Sequence, residues 1–108
     1  MDRHRLSELR SRAYHQVIAE RLRRDPSILD RARARVESWI LLSPTPPFYA
    51  LQWQEVLSRD AEAVAAFLAD GGELGCELRQ SSPFAGVLSA DERWQIWRQV
   101  AAREAGRS

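Results

Sequence analysis

The chain has 108 residues, 44% of them apolar, and a net charge of +1, which suits one domain with a modest core and no deep enclosed active site. Its single cysteine, Cys76, excludes an intramolecular disulfide framework and a cysteine-based zinc site, and agrees with a reducing compartment. No apolar stretch approaches bilayer length and no cleavable leader is visible, so the expectation is a cytoplasmic protein with no membrane partner.

The periodicity predicts a first helix over residues 3–24. Leu6, Leu9, Ala13, Tyr14, Val17, Ile18 and Leu22 recur at helical steps, and no glycine or proline interrupts them. Asp25-Pro26 stops that helix and starts the next, since aspartate suits an N-cap and proline a first helical position. The second helix, about 26–42, carries the stripe Ile28, Leu29, Ala32, Val36, Trp39 and Ile40. So short a connection predicts an antiparallel helical hairpin.

Ser43-Pro44-Thr45-Pro46-Pro47 is the clearest linker, because prolines cannot continue a helix. Beyond it, Phe48 to Leu57 and Ala61 to Asp70 are helical. The stripe Trp53, Leu57, Ala61, Val64 and Leu68 crosses Ser58 and favours one helix over two. Gly71-Gly72 ends this segment. Glu73 to Gln80 is a short helix, and residues 90–104 form the last, with Trp94, Trp97, Val100 and Ala101 inward. Ser89 followed by Glu92 reads as a capping box at its start. No stretch alternates with period two, so strands are not expected. The fold class is therefore all-α, a single domain 1–108 of about five to six helices. It divides into a basic helical hairpin (1–42), a Pro-rich linker (43–47) and a helical remainder (48–108).

Candidate chemistry is sparse. His4 and His15 lie too far apart on the first helix to share a metal or a proton, and read as exposed. Cys76 lies among Glu73, Glu77 and apolar residues and reads as a buried, inert thiol. Paired carboxylates such as Asp60/Glu62 and Asp91/Glu92 sit at helix starts, where the dipole favours anions. No glycine loop precedes a Lys-Ser/Thr pair. No catalytic residue, metal ligand or cofactor is expected, and the chain does not read as an enzyme.

Binding signals are stronger. All 16 basic residues are arginine. Residues 1–35 hold ten of them against five acidic residues (+5), whereas 36–108 hold six against ten (−4). On the first helix Arg5, Arg12 and Arg23 share a narrow angular window that suits phosphates or an acidic partner. Glu8 and Glu20 flank it, and no helix-turn-helix or zinc-finger spacing accompanies it. Four tryptophans join three phenylalanines and two tyrosines, more aromatic surface than so small a core needs, and aromatic residues dominate binding hot spots. Phe48, Tyr49 and Phe84 are the aromatics expected to be exposed. The apolar loop Phe84 to Leu88 must bury itself in the domain or against a partner, and the partner is favoured.

The phrases Arg12-Ala13-Tyr14-His15, Ile18-Ala19-Glu20-Arg21-Leu22, Asp25-Pro26, Ala32-Arg33-Ala34-Arg35-Val36 and Trp39 resemble the opening of small bacterial antitoxin-type proteins of type II toxin–antitoxin systems. Ser82-Pro83-Phe84-Ala85-Gly86-Val87-Leu88-Ser89 with Glu92-Arg93-Trp94 resembles their ending. The resemblance spans most of the chain except the proline linker. It implies a non-enzymatic protein that neutralises a cognate toxin enzyme, encoded by an adjacent gene, by direct complex formation. Phe84, Val87, Trp94 and Trp97, with Phe48 and Tyr49, are the expected apolar anchors. Arginines of the first two helices would pair with the toxin's carboxylates. The alternative, not favoured, is a small nucleic-acid-binding transcriptional regulator that uses Arg5, Arg12 and Arg23. Where antitoxins carry a DNA-binding module, this sequence shows none.

Overall fold

A computed structural model describes residues 3–106. Within them the chain is all-helical: α1 (Arg3–Arg24), α2 (Ser27–Leu41), α3 (Phe48–Leu57), α4 (Ala61–Ala69), α5 (Glu73–Arg79) and α6 (Ala90–Ala105).

Local chemistry accounts for several of these boundaries. Arg21, Arg23 and Arg24 occupy the last turn of α1, where the helix dipole favours cations. Asp25 Oδ1 then accepts from the Ser27 N–H at 3.1 Å and the Ser27 hydroxyl at 2.6 Å, which starts α2. These bonds hold the Asp25 carboxyl below the usual carboxylate range. Pro47, extended at φ −65° and ψ 153°, stands at the head of α3.

The single helix favoured across Ser58 is instead two. The Ser58 hydroxyl donates back to the Glu55 carbonyl at 2.6 Å, and Asp60, extended at ψ 166°, caps α4 by accepting from the Ala63 N–H at 2.8 Å. An unbroken apolar stripe does not reveal such a break, because both helices turn that stripe toward one core. After α4, the tight constraint at Gly71 is space and not a left-handed turn. A Cβ there would stand 3.1 Å from the Arg12 guanidinium.

α1 lies antiparallel to α4, with Arg23 beside Glu62 near one end and Arg12 beside Ala69 near the other. α2 lies antiparallel to α3, and Arg33 donates to the carbonyls of Leu57 (2.7 Å) and Arg59 (3.0 Å). The corner at Asp25 does turn α1 into α2, but each leg of that hairpin finds its main packing partner elsewhere. Ile18, Leu22, Leu29, Val36, Leu57, Val64, Leu68 and Leu78 form one core together with Trp53, which is wholly buried. The Trp53 indole N–H donates to the Leu78 carbonyl at 3.1 Å, so its one polar group is satisfied.

Candidate interaction surface

α6 begins at a complete capping box. Ser89 Oγ accepts from the Glu92 N–H at 3.1 Å, and Glu92 Oε1 accepts from the Ser89 N–H at 3.0 Å. Glu92 also pairs with Arg21 of α1, whose Nη1 donates to the Val87 carbonyl at 3.1 Å. One guanidinium thus ties both the late loop and the start of α6 to α1. Val100 is the buried residue of α6, with Ile96 partly buried. That docking leaves a second apolar stripe outside. Trp94, expected to face inward, is instead 59% exposed because Val100 and Ile96 carry the docking face. Its ring lies parallel to that of half-buried Trp97, with centroids 5.5 Å apart and planes 3° apart. A pair held on a capped helix needs little ordering before it meets a partner.

The late loop corrects an expectation. Phe84 is only 2% exposed and packs edge-on against Trp53, with ring centroids 6.0 Å apart. Phe67 meets Trp53 in the same manner at 5.8 Å. Phe84 therefore completes the core and is not exposed as expected. Pro83 and Leu88 are buried with it, Val87 is half-buried, and Gly86 carries the turn at φ 91°, where a side chain would be strained.

Phe48 and Tyr49 are exposed as expected, and Tyr49 leans edge-on against Trp39 at 5.6 Å. Leu41, Leu42 and Leu51 extend this second apolar patch around the proline segment. Beside it Val36, Ile40, Leu41 and Leu57 line a groove of about 400 Å³ between α2 and α3, rimmed by Arg33 and Glu37.

The arginine window does not form a phosphate track. Arg12 Nε donates to the Ala69 carbonyl at 3.3 Å, on the orphan carbonyls that end α4. Arg23 grips Glu62 through both oxygens, at 3.0 and 3.1 Å, and also bonds Glu20. The Arg23 bond holds the Glu62 carboxyl below its usual range. Arg5 remains exposed. The shared angular window reflects the α4 contact, which helical geometry alone does not distinguish from a ligand-facing stripe.

Two further residues differ from their reading in sequence. His15 is 5% exposed and not a surface histidine. Its Nδ1 lies 2.7 Å from the Ser11 carbonyl oxygen and its Nε2 lies 2.8 Å from Ser82 Oγ. A carbonyl only accepts, so Nδ1 carries the proton and Nε2 accepts from the Ser82 hydroxyl. Ser82 Oγ in turn accepts from the Phe84 N–H at 3.1 Å. Burial lowers the His15 pKa to about 4, opposed by the Ser11 bond and assisted by nearby Arg79. Cys76 is half-buried, not sealed, and its Sγ accepts from Arg79 Nη2 at 3.3 Å. Arg79 itself, 5% exposed, was not anticipated. The signal available was its Leu78 neighbour and the short α5 helix, too little to place a charge inside. His4 is exposed and pairs with Glu8 at 3.0 Å.

Among the described residues no three His, Cys, Asp or Glu side chains are grouped to hold a metal ion, and no helix is long and apolar enough to cross a membrane. The chain matches no protein-family model, and comparison with curated proteins and with solved structures found no similar protein.

Proposed function

We propose that this chain is a non-enzymatic helical binding protein that docks a partner protein through α6. The observation that carries this reading is the exposed, parallel Trp94–Trp97 pair on a helix whose start is locked by a capping box and by Arg21. Buried aromatic anchors dominate interface energies, and a large planar surface left in water by a monomer gains most from being covered. Arg93, just before Trp94, and Arg98, just after Trp97, lie on the same helix and are exposed. They make no side-chain hydrogen bond or ion pair with the described residues. Beside the tryptophan pair they, and not Arg12 or Arg23, are guanidiniums free to meet partner carboxylates. The resemblance to antitoxin-type proteins directs the reading to a toxin enzyme encoded by the adjacent gene, occluded by direct complex formation in the cytoplasm.

Co-purification of the chain with the product of the adjacent gene, followed by calorimetric titration, tests this. Trp94→Ala with Trp97→Ala should leave the isolated chain folded and weaken the complex by about 2 kcal/mol or more. A complex unaffected by both substitutions would reject the α6 surface. Binding to DNA with a steep salt slope, lost on Arg5→Ala, would instead favour the regulator.

A further inference from the structure

We propose that the cleft between the early turns of α1 and α5 is a binding site for a small oxyanion, with Arg79 at its floor. The cleft encloses about 330 Å³ and is lined by Ser7 and Ser11 from α1 and by Cys76, Arg79 and Gln80 on the other side. That space suits one small molecule and not a chain segment.

Arg79 is a permanent charge in a buried position, 5% exposed. Its Nη1 donates to the carbonyls of Leu68 at 3.3 Å and Asp70 at 2.7 Å, and its Nη2 donates to Cys76 Sγ at 3.3 Å. None of these acceptors is a carboxylate. By contrast Arg21, Arg23, Arg33 and Arg59, all more exposed, each pair with one. A buried charge met only by dipoles is costly to keep, and an opposite charge offsets that cost.

The guanidinium also has donors to spare. Of its five N–H groups, the one on Nε has no acceptor among the described residues. No sealed side-chain nitrogen among them lacks a partner, so this N–H is reached by solvent, and the cleft is one that Arg79 lines. Ser7 and Ser11 stand one helical turn apart on the facing wall, and their hydroxyls donate to no described residue. A guanidinium opposite two hydroxyls and an amide is a donor set for an oxyanion. Glu8, paired with His4 at 3.0 Å, also lines the cleft, and its charge opposes any anion, so it is the size of the cleft that restricts the ligand to one small oxyanion held by Arg79. The ligand class is thus a small phosphate or carboxylate.

The full-length chain is titrated at constant ionic strength with inorganic phosphate and with acetate, chloride serving as control, while amide and His15 ring signals are followed by NMR. The expected result is a saturable one-to-one shift at Ser7, Ser11, Arg79 and Gln80 that chloride does not produce. Saturation by phosphate alone assigns a phosphate ligand, and saturation by acetate as well assigns a carboxylate-tolerant site. Bound anion offsets the field of Arg79, so the midpoint of the His15 titration should rise with occupancy. Arg79→Lys should abolish binding. If that variant fails to fold, because Arg79 also caps the end of α4, the double variant Ser7→Ala, Ser11→Ala carries the test. It should fold and bind about fivefold more weakly or worse. Absence of saturation, equal shifts with chloride, or an affinity unmoved in the serine variant would overturn the proposal.

Discussion

A carbonyl that can only accept decides the state of His15. Its bond to the Ser11 carbonyl fixes the neutral tautomer, and the Ser82 hydroxyl then joins α1 to the loop that carries Phe84. A second proton on that ring would turn Nε2 from acceptor to donor and displace the Ser82 hydroxyl hydrogen. The folded pKa of about 4 lies below the ordinary 6.5. Above the ordinary value His15 is neutral in both states and its contribution to stability does not change with pH. As pH falls toward the folded value only the unfolded chain takes up the proton, and stability drops. The loss amounts to about 3 kcal/mol and then levels off. Urea unfolding between pH 7.5 and 4 should show this loss in the native chain but not in His15→Gln, and equal slopes would remove His15 as the cause. At the same scale, Phe84→Ala deletes a core ring and should cost roughly 3–5 kcal/mol in thermal or urea melts. A melt unchanged by Phe84→Ala would return that residue to the surface.

Helix starts are the features that sequence reports best, because a cap is a contact between near neighbours. The Ser89–Glu92 box is present in both directions, and Asp25 satisfies the start of α2. Ser89→Ala should therefore destabilise the chain by about 0.5–2 kcal/mol, visible as a lower midpoint of denaturation. Asp60→Ala removes the cap that separates α4 from α3 and should cost a similar amount, on the order of 1 kcal/mol. Neither substitution touches Trp94, so partner affinity should follow only the loss of folded chain. The same Asp60 shows where reading an element from its pattern falls short. The stripe Trp53, Leu57, Val64, Leu68 is continuous on both sides of the break because one core serves both helices.

Across the whole molecule, two long helices meet different neighbours. α1 takes α4 on one side and α6 on another, while α2 takes α3. This arrangement uses Arg12 and Arg23 inside the fold and leaves α6 with an outward aromatic pair. It predicts a clean separation of effects. Substituting Trp94 and Trp97 should change association and leave the melt within about 0.5 kcal/mol for an exposed position such as Trp94. A large loss of stability in Trp94→Ala alone would show that its ring supports the fold.

Sequence by itself determined the all-α class, the helical segments apart from the break at Ser58, the proline break and the Ser89–Glu92 cap, because each depends on residues within a turn or two of one another. It also located the exposure of Phe48 and Tyr49 beside the prolines. Only the tertiary structure decided that Phe84 lies against Trp53, that His15 and Arg79 are inside, and that Trp94 remains outside. Those outcomes depend on contacts across the chain, such as His15 to Ser82 or Arg21 to Glu92, separated by 67 and 71 positions. A helical stripe states which residues share a face. Which neighbour covers that face, and whether any does, follows from how the helices pack.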